Sequence, residues 1–299
     1  MSDTATLLRK PAVNGRGLYL LVCLPMALAM LATMAAEDMA MPESVSALIA
    51  YSVRWSVPWL YLAFAASALH QLFAASWSQW LLRNRRILGL CFATGMAWQC
   101  AFILTLVGWH RDYYVSEVYV LRDAIEGVIG YAFLIAMTIT SFKAGRKRLT
   151  PVQWRRLHTW GIYFLWAYAF SVYWHELFYY REPDWIDHVY YIAGLLAWAS
   201  RLAAWSKRRL VSGDKVATRT AGGELVAGAA LVVLALAGVI SGAYWEGAAY
   251  TYLWDTQVAR WLELYMPYWP FIPFLPLLVA IPGAWLLVRA RHAQTGDAC

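Results

Sequence analysis

His70, His158 and His175 are the side chains of this chain with the most chemical capacity, and each stands in or beside an apolar stretch. His158 lies in Trp154-Arg155-Arg156-Leu157-His158-Thr159-Trp160-Gly161-Ile162-Tyr163, where a basic loop runs into an apolar segment. An ionisable group at the start of a spanning helix is either an interfacial anchor or a ligand facing the bundle interior. The first reading gives a protein that holds a shape, the second a protein that moves electrons. His70 falls inside a long uncharged run, with Gln71 and Gln99 as possible hydrogen-bond partners. There a polar group must face protein and find a partner. His175, followed by Glu176 and Tyr179, suits an interfacial hydrogen bond or a ligand near the opposite surface.

The elements that would position these groups are visible in the composition. The chain has 299 residues, of which 61% are hydrophobic and 14% charged, against about 25% charged in ordinary soluble domains. The deficit is concentrated in runs without Asp, Glu, Lys or Arg: 17–36, 55–82, 87–109, 157–175, 225–245 and 264–288. Each is long enough to cross a hydrocarbon core of ~30 Å as a helix. Two weaker runs, 124–142 with Glu126 and 188–206 with Arg201, bring the expectation to eight spans. The fold class expected is therefore all-α, a polytopic membrane helix bundle. The first run is too long for a signal-peptide core and no small-residue cleavage site follows it. Cys23, Cys91 and Cys100 lie in apolar runs and Cys299 ends the chain, a distribution that suggests packing rather than a disulfide framework.

The net charge of +7 follows topology. Basic residues gather around 9–16, 83–86, 143–156, 207–219 and 289–291, and the intervening loops carry most of the acids. That alternation is the positive-inside pattern, which puts both termini in the cytoplasm of a bacterial-type inner (plasma) membrane. The excess charge then needs no nucleic acid partner; the lipid bilayer is the expected one.

The acidic side is loaded with Trp and Tyr, among them Trp109, Tyr113, Tyr179, Trp185, Trp245 and Trp261. They suit an interfacial belt, or the wall of a site for a quinone or another flat ligand. Residues 247–263 have near-helical apolar spacing and could lie flat on the membrane. Pro267, Pro270, Pro273 and Pro276 recur every third residue. Such spacing predicts an extended or kinked lead into the last span until about Leu277.

Three stretches carry a likeness to a known family. They are Arg85-Arg86-Ile87-Leu88-Gly89-Leu90 at the head of the third span, Ala136-Met137-Thr138-Ile139-Thr140-Ser141-Phe142 at the end of the fourth, and Trp154 to Tyr163 continuing through Leu165-Trp166 into the fifth. Residues 50–206 resemble the ferric-reductase-like transmembrane domain. That superfamily includes the haem-binding membrane subunit of the bacterial methionine-sulfoxide reductase system and the membrane core of NADPH oxidases. The resemblance divides the chain into 1–49 (cytoplasmic N-terminus and first span), 50–206 (the ferric-reductase-like core) and 207–299 (a cytoplasmic loop, two extra spans and the outer segment). It implies b-type haem clamped between histidines of the third and fifth spans, since two axial imidazoles favour electron transfer.

His158 matches the inner histidine of the fifth span. The second histidine of that span, thirteen residues on, is Ser171 here, and the histidine of the third span is Gln99. Neither replacement is an ordinary haem ligand. His175, one turn beyond Ser171, and His70 are the substitutes to weigh as cofactor-binding residues, with His158 and His175 as the metal ligands; His110 offers a further imidazole at the end of the third span.

The resemblance thus implies haem-linked electron transfer, with electrons from a membrane quinol or a separate redox partner, because no flavin or nicotinamide module is present. The replaced positions imply the alternative, a haem-free structural or assembly subunit of a membrane complex. The aromatic face and the proline-rich lead leave a third, a transporter or lipid-handling protein.

Overall fold

The computed structural model describes residues 6–180, 183–212, 221–255 and 271–296, and among these every regular element is helical, with no strand. The long helices are α1 (Gly15–Ala36), α2 (Pro42–Leu72), α3 (Ser76–Trp109), α4 (Leu121–Thr140), α5 (Pro151–His175), α6 (Trp185–Ser212), α7 (Ala221–Ile240), α8 (Gly242–Asp255) and α9 (Phe271–Gly296). Gly15–Ala36, Ser76–Trp109, Asp123–Thr140, Gly222–Ile240 and Ile272–Arg291 are long and apolar enough to cross a membrane. Helices α2, α5 and α6 have the length as well, but their runs are diluted by Trp, Tyr and Ser and are not among those five. In a bilayer every backbone polar group must be satisfied within the chain, and helices do this locally.

Two compact units divide the chain, Met1–Ala169 and Phe170–Cys299, so the boundary falls inside α5. In the first unit α2 and α3 are joined by three residues, Phe73–Ala75, and pack along their length. Their seam is built on small groups: a Cβ at Gly95 would stand 2.5 Å from Ser56 Cβ and 3.4 Å from Met26 Sδ. Lipid tails give little hydrophobic reason for helices to associate, so close backbone approach at small residues supplies the contact. Around it Leu18, Val22, Cys23, Met26, Ala63, Ala66, Leu81, Leu88 and Cys91 form one buried cluster, and Met30, Val45, Leu48, Phe102 and Leu106 a second. Gly161 of α5 meets Met137 Sδ of α4, again where a side chain would not fit.

The segment before α1 is fastened to α3. Asn14 Oδ1 accepts from Arg83 Nη2 (2.8 Å) and Asn84 Nδ2 (2.9 Å), Trp80 Nε1 donates to Val13 O (2.8 Å), and the Gly15 N–H donates to Asn84 Oδ1 (3.1 Å). Gly15 has φ +54°, which a glycine adopts without steric cost.

In the second unit α7 and α9 pack glycine to glycine. A Cβ on Gly228 would lie 2.9 Å from Gly283 O, and Gly238 faces Pro276 at 3.2 Å. Arg289 Nη2 meets Glu224 Oε1 at 3.1 Å on the same pair of helices, with the guanidinium over the Trp285 ring.

Three boundary expectations are corrected. The run 55–82 is not one span: α2 ends at Leu72 and α3 begins at Ser76, so Arg83, Arg85 and Arg86 lie inside α3 rather than in a loop before it. The turn is closed by Ser78 Oγ, which donates to Phe73 O and accepts from the Ala75 N–H (3.2 Å), a polar capping device that counting uncharged residues does not reveal. His70 consequently occupies the last turn of α2, not its interior.

The lead into the last span is also different: α9 is helical from Phe271, with Pro273, Pro276 and Pro282 within it. Pro273 falls in the first turn, whose N–H groups have no intrahelical acceptor in any case, and bundles tolerate the rest. Pro267 and Pro270 lie outside the described residues. So does 256–263 of the outer segment, while 242–255 forms α8, whose 14 residues are too few to cross the bilayer.

Candidate functional site

His158 projects from the second turn of α5 toward the end of α4. Its Nε2 lies 3.0 Å from Thr140 Oγ1. The Thr140 hydroxyl proton goes to Ala136 O at 2.7 Å, so Nε2 is the donor and the threonine oxygen the acceptor. Trp154 packs on the imidazole at a tilt of 31° with ring centroids 4.3 Å apart, and its Nε1 donates to Thr140 O (3.2 Å). Arg146 Cζ stands 5.0 Å from the Trp154 ring, so α4, the 141–150 connection and α5 are clipped together here. Sequence reasoning missed Thr140 as a partner, although it stands in the stretch that marks the end of α4.

Gln99, where the resemblance implies a ligand, receives a hydrogen bond from Tyr131. The phenol donates to Gln99 Oε1 at 2.8 Å and also approaches Met96 O at 3.1 Å. This is the interhelical bond expected of a glutamine inside a bundle, here between α3 and α4. Ser171 Oγ contacts His175 Nδ1 (3.4 Å) on the same helix, because the two residues are one turn apart.

His175 Nδ1 donates to Ser171 O at 2.7 Å, and the ring packs edge-on against Trp174 and Tyr179. A π-helical turn, Glu176–Tyr180, follows directly. His70 Nδ1 lies 3.3 Å from the Ser78 Oγ that closes the α2–α3 turn. At both residues an oxygen lies beside Nδ1, as it does in metal-binding histidines generally. His110 Nε2 approaches Met39 O at 3.4 Å.

A haem clamp built on the three family positions does not fit these residues. Nε2 of His158 is hydrogen-bonded to Thr140, Gln99 is bonded to Tyr131, and Ser171 bonds within its own helix. The interior face of α5 in the first unit is filled by rings: Phe64 of α2 stacks on Trp166 (5.3 Å, 12°) and meets Tyr163 edge-on (5.1 Å). Among the described residues no group of three or more His, Cys, Asp or Glu converges as a metal site.

The aromatic face is described in the second unit. Phe170 stacks on Tyr191, and Trp174 contacts Phe178 and Trp245, with Trp174 fully buried and its Nε1 without a hydrogen-bond partner among the described residues. Trp245 Nε1 donates to Gly238 O (2.9 Å), which ties α8 back to α7.

No family model matches the chain, and no curated protein or solved structure is significantly similar to it.

Proposed function

We propose that this chain is a multi-pass inner-membrane protein of ferric-reductase-like architecture that works without haem, as a structural or assembly subunit of a membrane complex. Eight helices, α1 to α7 and α9, would span, with both termini on the cytoplasmic side; their lengths of 20 to 34 residues and the alternating basic clusters support that topology.

The observation that carries the haem-free reading is the use made of the ligand positions. Gln99 and His158 each form a hydrogen bond to α4, at 2.8 Å from Tyr131 and 3.0 Å to Thr140. These side chains fasten helices. An absorbance spectrum of the purified protein, oxidised and dithionite-reduced, tests the reading together with an iron assay. A colourless protein is expected; a reducible Soret band at stoichiometric iron refutes it.

One observation favours electron transfer as a second reading. At His70 and at His175 an oxygen of the chain lies beside Nδ1, the arrangement that holds metal-binding imidazoles. If the protein is coloured, single substitutions His70→Ala, His158→Ala and His175→Ala identify the ligands. This reading then requires loss of the band at His70 or His175 and its retention at His158; quinol or a separate redox protein would supply the electrons.

A further inference from the structure

We propose that Arg85, Arg86 and Arg146, with Phe142 and Trp154, form a binding site for the headgroup of an anionic phospholipid. The inference uses the membrane placement of the chain and does not depend on whether haem is bound. The three arginines come from two places in the sequence and converge at one end of the first unit. Arg86 Cζ stands 5.7 Å from the Phe142 ring and Arg146 Cζ 5.0 Å from the Trp154 ring. Arg85 and Arg146 are both within electrostatic reach of His158.

All three guanidinium groups are on exposed residues, and Phe142 is 48% exposed beside them. On the outer side of α5, two turns from Trp154, Trp160 is 70% exposed, as a lipid-facing ring would be. Planar guanidinium forks match phosphate oxygens in pairs, and aromatic rings settle at headgroup depth.

The charge balance points outward. No Asp or Glu occurs in 4–36, 44–111 or 127–175, the stretches that supply this end of the unit. Arg9, Lys10, Arg16, Arg83, Lys147, Arg148, Arg155 and Arg156 add to the same field. Those stretches carry no acid of their own, and the anionic cytoplasmic leaflet offers the complementary charge. Each Lys or Arg that meets the bound anionic headgroup contributes about a five-fold factor in affinity.

Native mass spectrometry of the purified full-length protein, titrated with phosphatidylglycerol or phosphatidylcholine, tests the site. Phosphatidylglycerol is expected to be retained in preference to phosphatidylcholine. The variant Arg85→Gln/Arg86→Gln/Arg146→Gln should lose roughly a hundred-fold in apparent affinity. Lys207→Gln/Arg208→Gln/Arg209→Gln, which removes the same charge from exposed residues of α6 in the other unit, should lose less than five-fold.

Equal losses in the two triple variants, or no loss in the first, overturn the proposal. So does displacement of the lipid by inorganic phosphate at equal phosphorus concentration, which would make this a site for free phosphate. If the first triple variant fails to fold, Arg86→Gln alone carries the test with an expected five-fold loss, and unchanged affinity there overturns the proposal.

Discussion

Gly95→Ala tests the α2–α3 seam more sharply than any other single change. The added Cβ would stand 2.5 Å from Ser56 Cβ and 3.2 Å from Ser56 Cα, on a residue that is itself fully buried. Ordinary contact between two such carbons is about 3.5–4.0 Å, so the helices must part by an ångström or more at this level. Forced overpacking of this kind costs about 1–3 kcal/mol. The helix-propensity gain of alanine over glycine, about 1 kcal/mol in water, offsets part of that cost, so Gly95→Ala should lose up to about 2 kcal/mol net and stand about 1–3 kcal/mol below an unclashing Gly→Ala change.

Gly89→Ala is the internal control: nothing lies within 4 Å of its added Cβ, so it receives the propensity gain without the clash. The assay is reversible unfolding in mixed micelles or bicelles, read by Trp fluorescence. Ser56→Gly should rescue Gly95→Ala in part, giving a coupling of the two sites of about 0.5–3 kcal/mol. If Gly95→Ala is as stable as Gly89→Ala and shows no coupling to position 56, the close-approach account of this seam is wrong.

Tyr131→Phe removes the donor to Gln99 and should cost about 0.6 kcal/mol, the usual worth of such a bond in a bilayer; Gln99→Leu in the same background should cost nothing further. Thr140→Val takes away the acceptor of His158 Nε2 and should cost about 1 kcal/mol, with faster proteolysis in 141–150 as a second readout and no change in absorbance. Glu224→Gln and Arg289→Gln each leave one half of a partly buried ion pair behind, and each should cost about 1–3 kcal/mol. The double substitution should recover some of that loss, and additive losses would show that the 3.1 Å contact carries no coupling.

What the sequence made readable was the arrangement of apolar matter. The run 17–36 is α1 within two residues at its start, and the close of the fourth span at 136–142 corresponds to the end of α4 at Thr140. Uncharged runs mark where lipid can be, not where a helix ends. For that reason the break at Phe73–Ala75, which contains neither Gly nor Pro, leaves no mark in the sequence, and the arginines at 83–86 read as the boundary of a span rather than as part of a helix already begun at Ser76. Proline spacing misled in α9 because a helix within a bundle tolerates residues that an isolated helix does not.

At the candidate site the identities of Gln99, His158 and Ser171 were readable, but their partners were not. Tyr131 and Thr140 look like ordinary residues of an apolar helix until three dimensions bring them opposite a glutamine and an imidazole. The rotation of each helix about its axis decides those pairings, and a single sequence leaves that rotation undetermined when most faces are apolar.

The three-residue link between α2 and α3 has a consequence for biogenesis. With 31 and 34 residues, these helices extend about 46 and 51 Å, well beyond the ~30 Å hydrocarbon thickness. Such a short tether leaves neither helix room to partition without its neighbour. On the proposed eight-span topology the two leave the translocon together as a hairpin whose turn, with the exposed Phe73 and Trp77, stays on the cytoplasmic side. A ribosome stalled before residue 109 leaves that pair half built, with Ser56 facing an absent partner.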